Sequence, residues 1–218
     1  MNMTHTNQPT GRKYIRVVIL LALVCSLIAA ACASDAARRQ RIVPKYILLF
    51  PLDAPSGEIV ENSNDTPIPE SFGTEIMGEL RNTLSRTQGF RPLLFSDRLA
   101  PITRARQDNT LKLEEVQPPY SEDDGKALAI ARLLLTDLYM VGTIEDHKVD
   151  PVANEAVVTL SVRLLDGRNG RQLKSFVVTG RANQSNVEYL NLDLDVLAGL
   201  DAVGALRDQM LEKPTAEK

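Results

Sequence analysis

Two stretches of this sequence, "KYILLFPL" (Lys45–Leu52) and "DLYMVGTIE" (Asp137–Glu145), are apolar almost without alternation. A strand with one wet face alternates between apolar and polar residues, whereas a strand covered on both faces does not. The chain therefore needs layers on both sides of its sheet where these strands lie. A third stretch, "EAVVTLSVRLL", follows the other rule. Ala156, Val158, Leu160, Val162 and Leu164 alternate with Glu155, Val157, Thr159, Ser161 and Arg163, which predicts one buried face and one largely wet one. One sheet with two regimes is the expectation.

The segments between these strands say how they connect. After Lys45–Leu52, "SFGTEIMGELRNTLSRTQG" places Phe72, Ile76, Leu80 and Leu84 at helical spacing and stops at Gly89. "FRPLLFS" (Phe90–Ser96) follows as a short strand, so strand, helix and strand predict a right-handed parallel βαβ unit. A short helix is expected around Asp97–Arg106, then a loop over Gln107–Tyr120. Ser121, with Asp124 three residues on, resembles a capping box for a helix buried through Ala127, Ile130, Ala131 and Leu134. Gly142 marks a close backbone approach in the next strand. "DGRNG" (Asp166–Gly170) reads as a hairpin turn returning "RQLKSFVVTGRA" antiparallel. A last helix is expected from about Val187 to Leu211. The order β-α-β-α-α-β-β-β-α predicts a single α/β domain: a mixed β-sheet, parallel at its start and ending in an antiparallel hairpin, flanked by α-helices.

The amino-terminal segment carries an address. Arg12, Lys13 and Arg16 precede an apolar run from Val17 to Ala31, broken only by Ser26 and followed directly by Cys32. Basic region, apolar region and small-residue exit are the parts of a secretory signal. Fifteen residues at about 1.5 Å each fall short of a hydrocarbon core of about 30 Å. "IAAAC" resembles the lipobox of bacterial lipoproteins, which implies cleavage before Cys32 and acylation of that cysteine, palmitate being among the expected chains. The other reading of the same residues is an ordinary secreted protein with an incidental cysteine. With Cys25 lost in the signal and Cys32 acylated, no thiol or disulfide is left. Several acyl chains, at about 0.8 kcal/mol per buried methylene, make a lasting membrane anchor. By resemblance to enterobacterial sorting patterns, Ala33 and Ser34 imply the outer membrane with the domain facing the periplasm. The expected organisation is signal peptide 1–31, lipidated cysteine and tether 32–44, periplasmic domain 45–212 and disordered tail 213–218. Arg38, Arg39 and Arg41 in the tether read equally as contacts to anionic headgroups or as solvated linker charges.

Removal of residues 1–31 takes three of the 25 Lys+Arg and none of the 28 Asp+Glu, so the remaining 187 residues carry a net charge of −6. That balance lacks the positive field of a nucleic-acid-binding chain, and no nucleic-acid partner is expected. The remaining histidine, His147 in "EDHKVD", reads as a solvated strand end rather than a metal ligand or base. Helix capping accounts for Glu122-Asp123-Asp124 better than cation binding does. "ENSNDT" (Glu61–Thr66) offers oxygen ligands without EF-hand spacing. There is no G-x-S-x-G, P-loop or G-x-G-x-x-G. The expectation is therefore no catalytic residues, no cofactor, no metal and no enzyme. The loop Asp53–Glu70 leaves the carboxyl end of a central strand, where open α/β sheets place contacts, and it is longer than most connections. Ile59, Ile68 and Phe72 are its candidate partner-contact residues; the alternative is a mobile acidic loop.

Four segments in order resemble one family. "KYILLFPLD" is similar to the opening strand of CsgG-like and penicillin-binding-protein-activator-like lipoproteins, "LRNTLSRTQGFRPL" to their following helix and strand, "AIARLLLTDLYMVGTIED" to their next helix and glycine-containing strand, and "VRLLDGRNGRQLKSFVVTG" to their terminal hairpin, with Asn169 where threonine is usual. The resemblance spans about Lys45–Ala182. It implies a domain like the amino-terminal domain of the TolB family, used for protein–protein work in the periplasm. The function expected is a membrane-anchored, non-enzymatic adaptor that binds an envelope protein or a second copy of itself. The alternative is an oligomeric outer-membrane secretion-channel component of the curli type, although the sequence holds no second pair of alternating strands of about ten residues beyond the sheet's own hairpin.

Overall fold

The computed structural model describes residues 43–54, 68–69, 71–183 and 193–212. Five strands form one sheet: β1 (Lys45–Leu49), β2 (Phe90–Leu94), β3 (Leu138–Asp150), β4 (Glu155–Asp166) and β5 (Gln172–Asn183). Their spatial order is β2-β1-β3-β4-β5. β1 runs parallel to both β2 and β3, while β3–β4 and β4–β5 are antiparallel. Four helices cover the sheet: α1 (Phe72–Ser85), α2 (Ala100–Gln107), α3 (Asp124–Leu133) and α4 (Leu194–Leu211), with a 3₁₀ turn at Glu114–Val116. This is the mixed α/β domain expected from the two kinds of strand.

The unalternating strands feed two cores. Ile47 and Leu49 of β1, with Leu138, Met140 and Ile144 of β3, join Ile76, Leu80 and Leu84 of α1 and Ala198, Ala202 and Leu206 of α4. The intervening residues, Leu48 of β1 and Phe50 just after it, with Tyr139 and Val141 of β3, face the other way onto Ile102 of α2 and Ile130 of α3. Each such side chain, fully buried, contributes about 1.5–3 kcal/mol, which is why both helical layers are held. β4 and β5 follow the alternating rule. Ala156, Val158, Leu160, Phe176 and Val178 enter the α4-side core. Their neighbours face away from it and range from half-buried to exposed.

Two glycines mark close approaches, one within the sheet and one between layers. A Cβ at Gly142 would collide with the Ser161 carbonyl across the β3–β4 pair, the constraint expected from the sequence. At Gly180 a Cβ would strike the Ala198 carbonyl and the Ala202 nitrogen, so α4 lies backbone to backbone on β5.

Two boundaries differ from expectation, and a third is untested. β3 continues to Asp150, well past Glu145. The cap of α3 is Asp123, whose side chain accepts from the Lys126 N–H at 3.0 Å, rather than Ser121. α4 is described from Leu194, and the expected first turns from Val187 lie largely outside the described residues.

Candidate functional site

The crossover connections diverge at the carboxyl end of β1: α1 departs onto one face, while α2 and α3 lie on the other. Such a divergence is where open α/β sheets expose a crevice. Asp53 sits there. It prolongs β1 by one bridge to Thr143, its N–H donating to the Gly142 carbonyl at 2.9 Å and its carbonyl accepting from the Ile144 N–H at 2.9 Å. Its carboxylate is buried, with the residue only 6% exposed. Oδ2 accepts from the backbone N–H groups of Tyr120 at 2.7 Å and Ser121 at 2.6 Å. Charge-assisted bonds of this kind are the strong class. They fasten the segment between α2 and α3 to the end of β1.

The fastened segment is wired further. The Tyr120 ring packs on Phe50 at 4.7 Å and Phe95 at 5.2 Å, and its hydroxyl donates to the Val116 carbonyl at 2.5 Å. Burial, then the charge of Asp53 and of Asp97, push the Tyr120 phenol well above its ordinary pKa. From β4, Arg163 Nη2 donates to the Ser121 carbonyl at 2.5 Å and pairs with Asp124 at 2.9 Å. Lys126 Nζ donates to the Gln117 and Pro119 carbonyls and lies 5.0 Å from the Tyr120 ring centre. Asp53 Oδ1 and Ser121 Oγ are buried without a hydrogen-bond partner among the described residues. Chemically this arrangement holds a connection in place. The Ser121 hydroxyl has no base bonded to it, and among the described residues no three His, Cys, Asp or Glu side chains converge as metal ligands would. Two cavities of about 680 and 300 Å³ are open grooves along α2 and the segment after it, and neither is lined by a residue of the Asp53 cluster.

Of the residues singled out in the sequence, Cys32 and Ile59 lie outside the described residues, as do Glu61–Thr66. Ile68 is half-buried and packs against the α1–α4 core. Phe72 is 1% exposed at the start of α1. Helical periodicity sends it inward with Ile76 and Leu80, so its side chain is core and not a surface that a partner meets. The reading of His147 as solvated is also corrected. Glu145 is skipped in the β3–β4 register, between Ile144 opposite Leu160 and Asp146 opposite Thr159. That bulge inverts the alternation and turns His147 inward. It is 4% exposed, with Nε2 3.3 Å from Asp195 Oδ2 on the first turn of α4 and its ring edge-on to Phe72 at 5.1 Å.

Sequence reasoning also passed over the surface that the bulge and the hairpins create. Beyond the end of β1, the β3–β5 sheet continues with α4 on one face. On the other it presents Val157, Thr159, Ser161, Val177 and Thr179. Thr159 and Thr179 pair across the strands, Oγ1 to Oγ1, at 3.0 Å, and Val177 is 65% exposed. Among the described residues β5 pairs with β4 alone. Asp201 of α4 takes its Arg181 N–H at 3.0 Å, covering one point of that edge. The alternation of β4 was the signal for this wet face; the length of the hairpins made it broad.

No family model matches the chain, and no curated protein matches its sequence. Among solved structures, the chain is similar to the lipoprotein GNA1162 from Neisseria meningitidis, at 18% identity over 77% of this chain and 98% of that one, with a TM-score of 0.43. It is similar to the PelC dodecamer from Paraburkholderia phytofirmans, at 20% identity over 73% and 89%, TM-score 0.42. It is also similar to the LpoB C-terminal domain from Escherichia coli, at 16% identity over 66% and 87%, TM-score 0.40.

Proposed function

We propose that this protein is a membrane-anchored, non-enzymatic adaptor of the bacterial envelope, which binds another envelope protein across the open face and edge of its β3–β5 sheet. The observation that carries this reading is the face itself, which no element among the described residues covers. A surface of threonines and valines next to the edge strand β5 suits another polypeptide, which can add main-chain hydrogen bonds along that edge. The open grooves along α2 offer a small substrate little enclosure. Anchoring through Cys32, outer-membrane placement and a periplasm-facing domain complete the proposal, supported by the "IAAAC" exit and the polar tether after it. An anchor confines the domain near the bilayer and raises its effective concentration for nearby partners.

The deciding experiment is the mass of the protein extracted from native membranes in mild detergent, by size exclusion with light scattering, combined with a photocrosslinking residue at Val177. A monomer or dimer crosslinked to a second envelope protein supports the adaptor. A discrete large ring replaces it with the curli-type channel. Cys32→Ala should release the protein from membrane pellets; retention there removes the anchor from the proposal.

A further inference from the structure

The amino end of the sheet, opposite in character to the Asp53 end, carries its own pattern. The first residues of β1 and β2, the last turns of α1 and α3, the β4–β5 turn and the end of α4 meet there. Lys45 N–H donates to the Gly89 carbonyl, Asp137 N–H to the Tyr46 carbonyl and Gly167 N–H to the Asp137 carbonyl. Arg132 spans the gap from α3 to the turn, with Nε at 2.9 Å and Nη2 at 2.6 Å from the Arg168 carbonyl. Six exposed bases collect on these segments: Lys45, Arg86, Arg91, Arg132, Arg168 and Arg171. Four acids lie on them: Glu212 is exposed at the end of α4, Asp208 pairs with Arg207 at 2.6 Å, and the other two are engaged by backbone. Asp137 Oδ2 accepts from the Tyr46 N–H at 2.9 Å, and Asp166 Oδ1 from the N–H groups of Arg168 at 2.8 Å and Asn169 at 3.2 Å.

The exposed apolar side chains gather at the same end. Among the described residues, nine large ones are well exposed, and six of them are Val43, Tyr46, Leu133, Leu135, Leu173 and Leu211. Leu135 is the most informative. It follows α3 with φ +53°, the left-handed conformation in which glycine ordinarily closes a helix, and it is 86% exposed. An aliphatic side chain is held out into solvent by a backbone geometry that disfavours it. Finally, the chain enters the domain at this end, at Val43, eleven residues after Cys32 and twelve after the last residue of the apolar run.

We propose that this end is a membrane-docking surface that seats on an anionic bilayer, its bases meeting headgroup phosphates and Leu135 with its apolar neighbours entering the interface. Bases ringing exposed aliphatics are the composition of an interfacial membrane contact, and eleven residues of chain reach no further than about 40 Å. The occupant is a lipid surface rather than a protein because exposed bases outnumber exposed acids six to two at this end and the chain's own apolar or acylated segment lies within that reach. Seating this end leaves the Asp53 end and the open β3–β5 face turned away from the bilayer.

The test uses residues 33–218, which contain the whole compact unit from Val43 onward and neither the apolar run nor Cys32. Adhesion then cannot come from the anchor, and failure here is separable from failure of the lipidation reading. Flotation with vesicles of phosphatidylcholine, with or without phosphatidylglycerol, is the readout. Binding should require phosphatidylglycerol and vanish at high salt. Neutralising Lys45, Arg86 and Arg171 to Gln should weaken it about 100-fold, at about fivefold per charge. Leu135→Gly, which suits the left-handed backbone, should weaken it about tenfold without lowering the melting temperature. Lys148→Gln, away from this end, should change nothing. Equal binding to both vesicle types, or unchanged binding by the triple variant and by Leu135→Gly, overturns the proposal. So does a photocrosslinker at Leu135 that, in cells, captures a protein and no phospholipid.

Discussion

The two ends of this sheet are built to opposite rules. At the carboxyl end of β1, charged and polar groups are spent on the protein itself: Asp53 holds Tyr120 and Ser121, Arg163 holds Ser121 and Asp124, and Asp123 caps α3. At the amino end the bases stand exposed beside Leu135, Val43 and Tyr46. Charges that satisfy buried donors stabilise the fold, whereas exposed charges contribute little to it and are left for a partner. Damage at the carboxyl end should therefore register as lost stability, and damage at the amino end as lost binding.

The largest expected effect is at Asp53. Asp53→Ala removes the acceptor of two N–H groups on a buried connection and should cost about 3 kcal/mol in urea unfolding. A cost below about 1 kcal/mol would mean that the segment is held mainly by the Tyr120 ring. Tyr120→Phe deletes the hydroxyl that donates to the Val116 carbonyl and should cost about 1 kcal/mol. At the other end, Leu135→Gly should leave stability the same or raise it by about 0.5 kcal/mol, since relief of the left-handed strain opposes the greater freedom of an unfolded glycine. A clear loss would show that Leu135 packs where the two-end contrast says it does not.

The smallest effect sharpens the contrast within one residue type. Tyr139 is buried like Tyr120, but its hydroxyl has no partner. Burial, with Asp124 adding, pushes its pKa from 10.0 to about 12. Tyr139→Phe should accordingly be neutral or slightly stabilising near neutral pH. Both phenols ionise later in the folded protein than in the unfolded chain. Their contribution is therefore fully present below pH 10 and is lost as the pH rises through the folded values. Unfolding followed by phenolate absorbance should show stability falling above pH 10, and Tyr139→Phe should make that fall shallower.

Much of this was legible in advance, because burial leaves a period in the sequence. Unbroken apolarity in Lys45–Leu52 and Asp137–Glu145 required two covering layers, and the alternation of Glu155–Leu165 required one. The same logic placed Phe72 on the buried stripe of a helix with Ile76 and Leu80, which its reading as part of the preceding loop overlooked. His147 was missed because β3 continues past Glu145 to Asp150, and within that extension a skipped residue in the β3–β4 register turns His147 inward, a bulge without signature in the local pattern. The Asp53 cluster was equally hidden. Its members come from β1, the segment before α3, and β4, and only the packing of α3 over the sheet brings them together. The sequence by itself determined which strands are covered and in what order the elements run, since these depend on neighbours along the chain. Tertiary structure alone decided which charges are consumed and which are left at the amino end, because a charge's role depends on the donors and acceptors that distant segments bring to it.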